Sequence, residues 1–226
     1  MPSRRPKMPG SVIGLPTGIE VGEQFANADQ QRHAAQLGMW AWLATELLLF
    51  GGSFTVALVL HYTHPESVRS AVLHLKFWIG ATNTAILICS SLTMSGAIVL
   101  SRLGGQRWMV RCMLATAALG SLFLALKGFE YWSDYSEHMM PFLGLPYALA
   151  SDPTTKLFVN LYFVTTGLHG LHLVTGVSIL LWLAWEAHKP HFLERCQNRI
   201  EIYGLYWHFI DLIWIVVFPV FYVVGR

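Results

Sequence analysis

Five stretches of the chain stay predominantly apolar for the roughly 20 residues that a helix needs to cross a bilayer. They run over 37–60, 77–101, 109–131, 157–186 and 203–225. Each is read as a transmembrane helix, so the pattern predicts an all-α, polytopic bundle of five spans. Residues 1–36 are polar and rich in Pro and Gly, with no apolar run ahead of a cleavage site, and are read as a cytoplasmic arm; residues 37–226 then form the transmembrane domain.

The polar positions that interrupt the apolar runs carry the chemistry. An Asp at the centre of a membrane helix costs on the order of 3 kcal/mol, so each such group needs a partner. Glu46 follows Leu37 by nine residues, which places it about 14 Å from that end of the first span at 1.5 Å per residue. The fifth span enters from the same side, and His208 and Asp211 lie about 8 and 12 Å in from Tyr203. The three are expected near one level. His208 and Asp211, three residues apart on one helical face, are expected to satisfy each other.

His169 and His172 in the fourth span share a face near mid-membrane and are read as structural. Two histidines would need further ligands to hold a metal or haem, and the sequence presents no such set. Lys127 and Glu130, near the far end of the third span, are expected to pair with each other or to reach the interface by snorkelling. Glu46 has no charged neighbour on its own helix. It must be protonated, paired across helices or touched by water, and it is the strongest candidate for a functional group.

Composition agrees with a lipid-embedded chain: of 226 residues, 54% are hydrophobic and 12% charged, with a mean hydropathy of +0.46. The net charge of +2 comes without a basic block, which argues against a polynucleotide partner. Ten Lys and Arg fall in the arm, the second connection and the fourth; Arg69, Lys76, Lys156 and Arg226 fall on the other side. The asymmetry predicts a cytoplasmic N-terminus and an external C-terminus. Trp40, Trp42, Trp78, Trp108, Trp132, Trp182, Trp185 and Trp207 lie near the ends of the runs, as an interfacial belt requires, and Trp214 lies mid-run. Cys89, Cys112 and Cys196 have no metal-ligand spacing and are read as packing residues.

Small residues (Gly51 and Gly52, Ser91 and Ser95, Ala115 to Ser121, Gly167 and Gly170) are expected where helices approach closely. No internal repeat or pair of broken half-helices is visible, which weighs against a secondary transporter.

The segments WLATELLLFGG, NTAILICSSLTMSGA, LFLALKGFEYWSD, YFVTTGLHGLHLVTG and YWHFIDLIWIVVFP, in this order over residues 37–221, resemble the third subunit of haem–copper cytochrome c oxidases. GLHGLH together with YWHFIDLIW makes the resemblance specific. Members usually have seven spans, and these five are similar to the last five, as in a short bacterial form.

The resemblance implies a non-catalytic subunit of a proton-translocating oxidoreductase in a bacterial cytoplasmic membrane. Such a subunit packs on subunit I, alongside subunit II, holds phospholipid, and supports proton uptake and sustained turnover. It binds no haem or copper, both of which belong to partner subunits. Glu46 matches the family's buried carboxylate at a lipid cleft. Glu130, His169, His172, His208 and Asp211 are then expected as a structural polar network. Alternatives are the equivalent subunit of a quinol oxidase, an accessory protein of nitric oxide reductase, a membrane di-haem cytochrome using His169, His172 and His208, and a proton-coupled transporter carrying protons on Glu46.

Overall fold

A computed structural model describes residues 28–137, 152–187, 189 and 192–226, with the backbone alone for 28 and 193–197. Most of the expected arm, the connection 138–151 and the side chain of Cys196 lie outside the described residues. The described chain is helical: α1 (Ala28–Thr63), α2 (Pro65–His74), α3 (Phe77–Arg102), α4 (Gln106–Ser136), α5 (Pro153–Glu186) and α6 (Phe192–Phe218), closed by a π-helical turn, Pro219–Val223. All but α2 are long and apolar enough to cross a membrane.

The helices depart from the hydropathy pattern at several places: α4 runs on to Ser136, α5 starts at Pro153 and α6 at Phe192, and three further differences have a local cause. α1 starts at Ala28, taking in residues 28–36 of the segment read as an arm; this stretch is polar, but its Ala and Gln favour helix and Asp29 suits a helix N-terminus. α2 occupies the connection between the first two expected spans, to which no element was assigned. It is too short to register as a span, but Pro65 at its start and buried Val68, Ala71 and Val72 at i, i+3, i+4 mark an amphipathic helix. The last span ends in a π turn at Pro219, which has no backbone N–H to continue the α-helical ladder.

α3, α4, α5 and α6 form a four-helix core in which each packs on two others, and α1 lies outside it against α5, α6 and α2. Of its apolar window only 17% is buried, against 50% for the last span. On α3 and α4 the core includes Leu87, Met94, Met109 and Met113, all fully buried.

The close approaches fall at Gly120, inside the expected stretch Ala115 to Ser121, and at Gly176, outside the expected set. A Cβ on Gly51, Gly52 or Gly170 would meet nothing within 4 Å. Gly120 and Gly176 instead admit the ring of Trp207, which a Cβ at either position would meet at 2.9 Å. Trp207, expected in the interfacial belt, is therefore core, and its indole N–H donates to Ser90 Oγ at 3.2 Å. Trp42 also leaves the belt, packing against Tyr206 at 5.2 Å between ring centroids. Trp40, Trp78, Trp108, Trp132, Trp182 and Trp185 are exposed, as a belt requires.

At one end of the bundle Asp152 caps α5. Its carboxylate accepts from the backbone N–H of Thr154 and Thr155 at 3.1 Å and from the Thr155 hydroxyl at 2.6 Å; that hydroxyl also reaches the carbonyl of Ser67 on α2 at 3.1 Å. Hydrogen bonding, from the Ser67 side chain first and then Thr155, holds the Asp152 carboxyl well below its ordinary range. A depressed folded-state value contributes stability above the unfolded value, ~3.9, that is lost as pH falls through the folded one. Acid melts should therefore show a loss at low pH that Asp152→Asn reduces; equal acid sensitivity in the two proteins would refute it.

Candidate functional site

The polar residues inside the membrane region do not gather into one network. They form separate sites, each set by which neighbouring helix its face meets.

The first is a pair across α1 and α5. Trp42, Glu46 and Phe50 recur every four residues on the face that α1 turns toward α5 and α6. Glu46 Oε2 lies 3.2 Å from His172 Nε2, with both side chains largely buried. Oε2 is within ion-pair distance of Nε2 and has no hydrogen-bond donor from any other residue. His172 Nδ1 is 2.9 Å from the carbonyl of Leu168, and Tyr206 on α6 donates to the His172 carbonyl at 2.9 Å. Trp42 and Phe50 hold the imidazole at centroid distances of 6.0 and 5.8 Å. Beside the pair runs a groove of about 430 Å³, bordered by Met39, Trp42, Leu171, Ile179 and Tyr203. Its apolar walls with one polar corner suit an acyl chain.

Glu46 was expected only at the level of His208 and Asp211, with no partner named for it. Depth alone did not decide the partner: His208 and Asp211 face α3, whereas Tyr206, Ile210 and Ile213 on the other side of α6 face α1. His208 does not pair with Asp211 either. Its Nδ1 lies 2.8 Å from Ser91 Oγ and its Nε2 3.4 Å from Ser95 Oγ. Asp211 is buried, and neither of its oxygens makes a hydrogen bond; it faces the hydroxyls of Ser90 and Ser91. Ser90 has committed its proton to the Leu87 carbonyl at 2.8 Å.

The third site is a buried ion pair. Lys127 donates to Glu130 Oε2 at 3.0 Å and to the hydroxyls of Tyr162 and Tyr222 at 2.8 and 2.6 Å. The two phenols donate to Glu130 Oε1 at 2.8 and 2.7 Å. All three ammonium protons and both carboxylate oxygens are thereby used, which is the condition for holding charges in an apolar interior. The Lys–Glu pairing matches the sequence expectation, but snorkelling does not occur: Lys127 is 5% exposed and Glu130 fully buried. Sequence reading missed Tyr162 and Tyr222. Tyr222 comes from the π turn, so the end of the chain closes this site.

His169, though three residues from His172, turns into the core, packing at 5.0 Å on Trp214 and 5.6 Å on Phe123 with Nε2 unpartnered. Among the described residues no group of three His, Cys, Asp or Glu is placed to hold a metal.

Five spanning helices with carboxylates set among them define a multi-pass α-helical membrane protein. The chain belongs to the cytochrome c oxidase subunit III family, whose sequence pattern matches residues 32–226. It is 30% identical to cytochrome c oxidase subunit 3 of Thermostichus vulcanus, over 97% of this chain and 100% of that one. It is 31% identical to the same subunit of a Synechocystis species, over 82% of this chain and 73% of that one. It is also 27% identical to the cytochrome bo(3) ubiquinol oxidase subunit 3 of Pseudomonas aeruginosa, over 91% and 92% of the two chains. Membership makes it a subunit of an oxidase complex.

Proposed function

We propose that this chain is the non-catalytic third subunit of a respiratory haem–copper oxidase in a bacterial cytoplasmic membrane. It packs on subunit I, in a complex with subunit II, holds phospholipid in the groove beside α1, and supports proton uptake and sustained turnover through Glu46. Haem and copper reside in the partner subunits. The observation that carries the role of Glu46 is its position: one carboxyl within the apolar run of α1, at the polar corner of a groove of about 430 Å³. A quinol-oxidase setting is the second reading, supported by the similarity to the Pseudomonas aeruginosa subunit.

Affinity purification of the tagged chain in mild detergent tests the assignment: a haem–copper subunit, seen in the visible spectrum, should accompany it. A chain that carries haem when separated from its partners would refute it. Glu46→Gln should leave the initial rate of oxygen reduction nearly unchanged, because the redox centres lie elsewhere, while activity decays faster over repeated turnover. Loss of oxygen reduction from the first turnover would contradict a supporting role. The charge asymmetry assigns residue 104 to the cytoplasm and the α1–α2 junction to the outside. In intact cells, cysteine substituted at Gly104 should resist an impermeant reagent and cysteine at His64 should react; position 145, a natural site for the external label, lies outside the described residues.

A further inference from the structure

The Glu46–His172 contact has a proton count that the hydrogen bonds around it determine. The Leu168 carbonyl can only accept, so the 2.9 Å contact from His172 Nδ1 fixes a proton on that nitrogen. In the neutral ring Nε2 is then a bare lone pair, and it lies 3.2 Å from Glu46 Oε2. A bare nitrogen and an ionised oxygen at that separation, both shielded from water, repel, and Oε2 has no other donor. One further proton must belong to the pair.

We infer that Glu46 and His172 hold a single proton between Oε2 and Nε2, and that His172 is the positioning residue through which Glu46 keeps its place and its proton at the groove. This rests on the role proposed above for Glu46. The proton resides on oxygen, giving carboxylic acid and neutral imidazole, or on nitrogen, giving carboxylate and imidazolium. Moving it breaks one O–H bond and makes one N–H bond, and the pair stays neutral overall. A neutral pair is what a lipid-facing contact between α1 and α5 tolerates.

The surroundings add no competing charge. On α6 the nearest titratable groups are Tyr206, whose proton goes to the His172 carbonyl, and Tyr203, which donates to the carbonyl of Gly176. On α5, His169 is turned into the core against Trp214. His208 and Asp211 lie on the α3 side of α6, in a separate groove with Ser91, and Lys127 is spent on Glu130.

The test is made on the assembled oxidase. A lipid-soluble carbodiimide modifies a carboxyl in its protonated form, so sharing with His172 should slow its reaction at Glu46. In His172→Phe, Glu46 has to keep its own proton, and its labelling should become several-fold faster. An unchanged rate would overturn the inference. Infrared difference spectra of the unsubstituted complex, with Glu46→Gln to assign the band, supply a measurement that needs no change at His172. A carboxylic C=O band shifted by hydrogen bonding, or the carboxylate with imidazolium, is expected; the band of a free carboxylic acid would overturn the proton-sharing. His172→Gln, which accepts no proton, should assemble and label like His172→Phe, and labelling like the unsubstituted protein would count against a proton role. None of these readouts depends on turnover lifetime, so the inference and the role proposed for Glu46 fail separately.

Discussion

Lys127→Met is expected to destabilise the subunit by about 3–5 kcal/mol, the cost of breaking a buried ion pair on one side. Glu130 would remain fully buried with its Oε2 unpartnered, while Tyr162 and Tyr222 would each lose a donor (lengths of 2.8 and 2.6 Å in the intact site). The Glu130→Leu change, which strands the ammonium, should cost a similar amount. The double substitution Lys127→Met/Glu130→Leu should be milder than either, because both charges leave together and the phenols, already 2.8 Å apart, can bond to each other. Thermal release of the chain from the detergent-solubilised complex measures all three. A double variant as labile as the sum of the singles would mean that the site matters for packing and not for charge pairing.

Trp207→Ala should cost a comparable amount, about 3–5 kcal/mol, as large-to-small core changes do. The ring is fully buried between Gly120 of α4 and Gly176 of α5, and its N–H bond to Ser90 ties α6 to α3. All four core helices therefore meet at this residue. The reverse experiment is Gly176→Ala, whose Cβ would stand 2.9 Å from the indole and 3.1 Å from the Tyr203 hydroxyl. Overpacking of this kind costs about 1–3 kcal/mol. The same melts read both effects; a Gly176→Ala protein as stable as its parent would show that the helices part easily here and that the glycine is not needed for their approach.

Hydropathy alone located the five spans, because a lipid-exposed helix must be apolar along its length whatever it packs against. The i,i+3 pairing of Lys127 with Glu130 was legible for a similarly local reason, since both lie on one helical face. α2 escaped because it is short and lies on the bundle without crossing it, so its signal is a Pro at its start and three buried positions. Trp42 and Trp207 were misplaced because position in the sequence reports depth and not direction: near the end of a span, an indole can face the lipid headgroups or a glycine on the next helix.

The candidate site shows the same division. That Glu46 had to find a partner across helices or be neutralised followed from its isolation on α1, and that His172 was available at mid-membrane followed from its place in α5. Their meeting did not follow, nor did the separation of Glu46 from His208 and Asp211. Rise per residue gives the level of a side chain, but its partner depends on which face of each helix turns toward which neighbour, a rotational choice made by the packing of rings such as Trp42, Trp207 and Trp214. The sequence by itself thus determined the number of spans and one local pair, Lys127 with Glu130, whereas the equally spaced His208 and Asp211 turned to the α3 side without pairing. The tertiary structure decided the pairs between helices, because they depend on helix rotation and neighbour order, which many distant contacts set together.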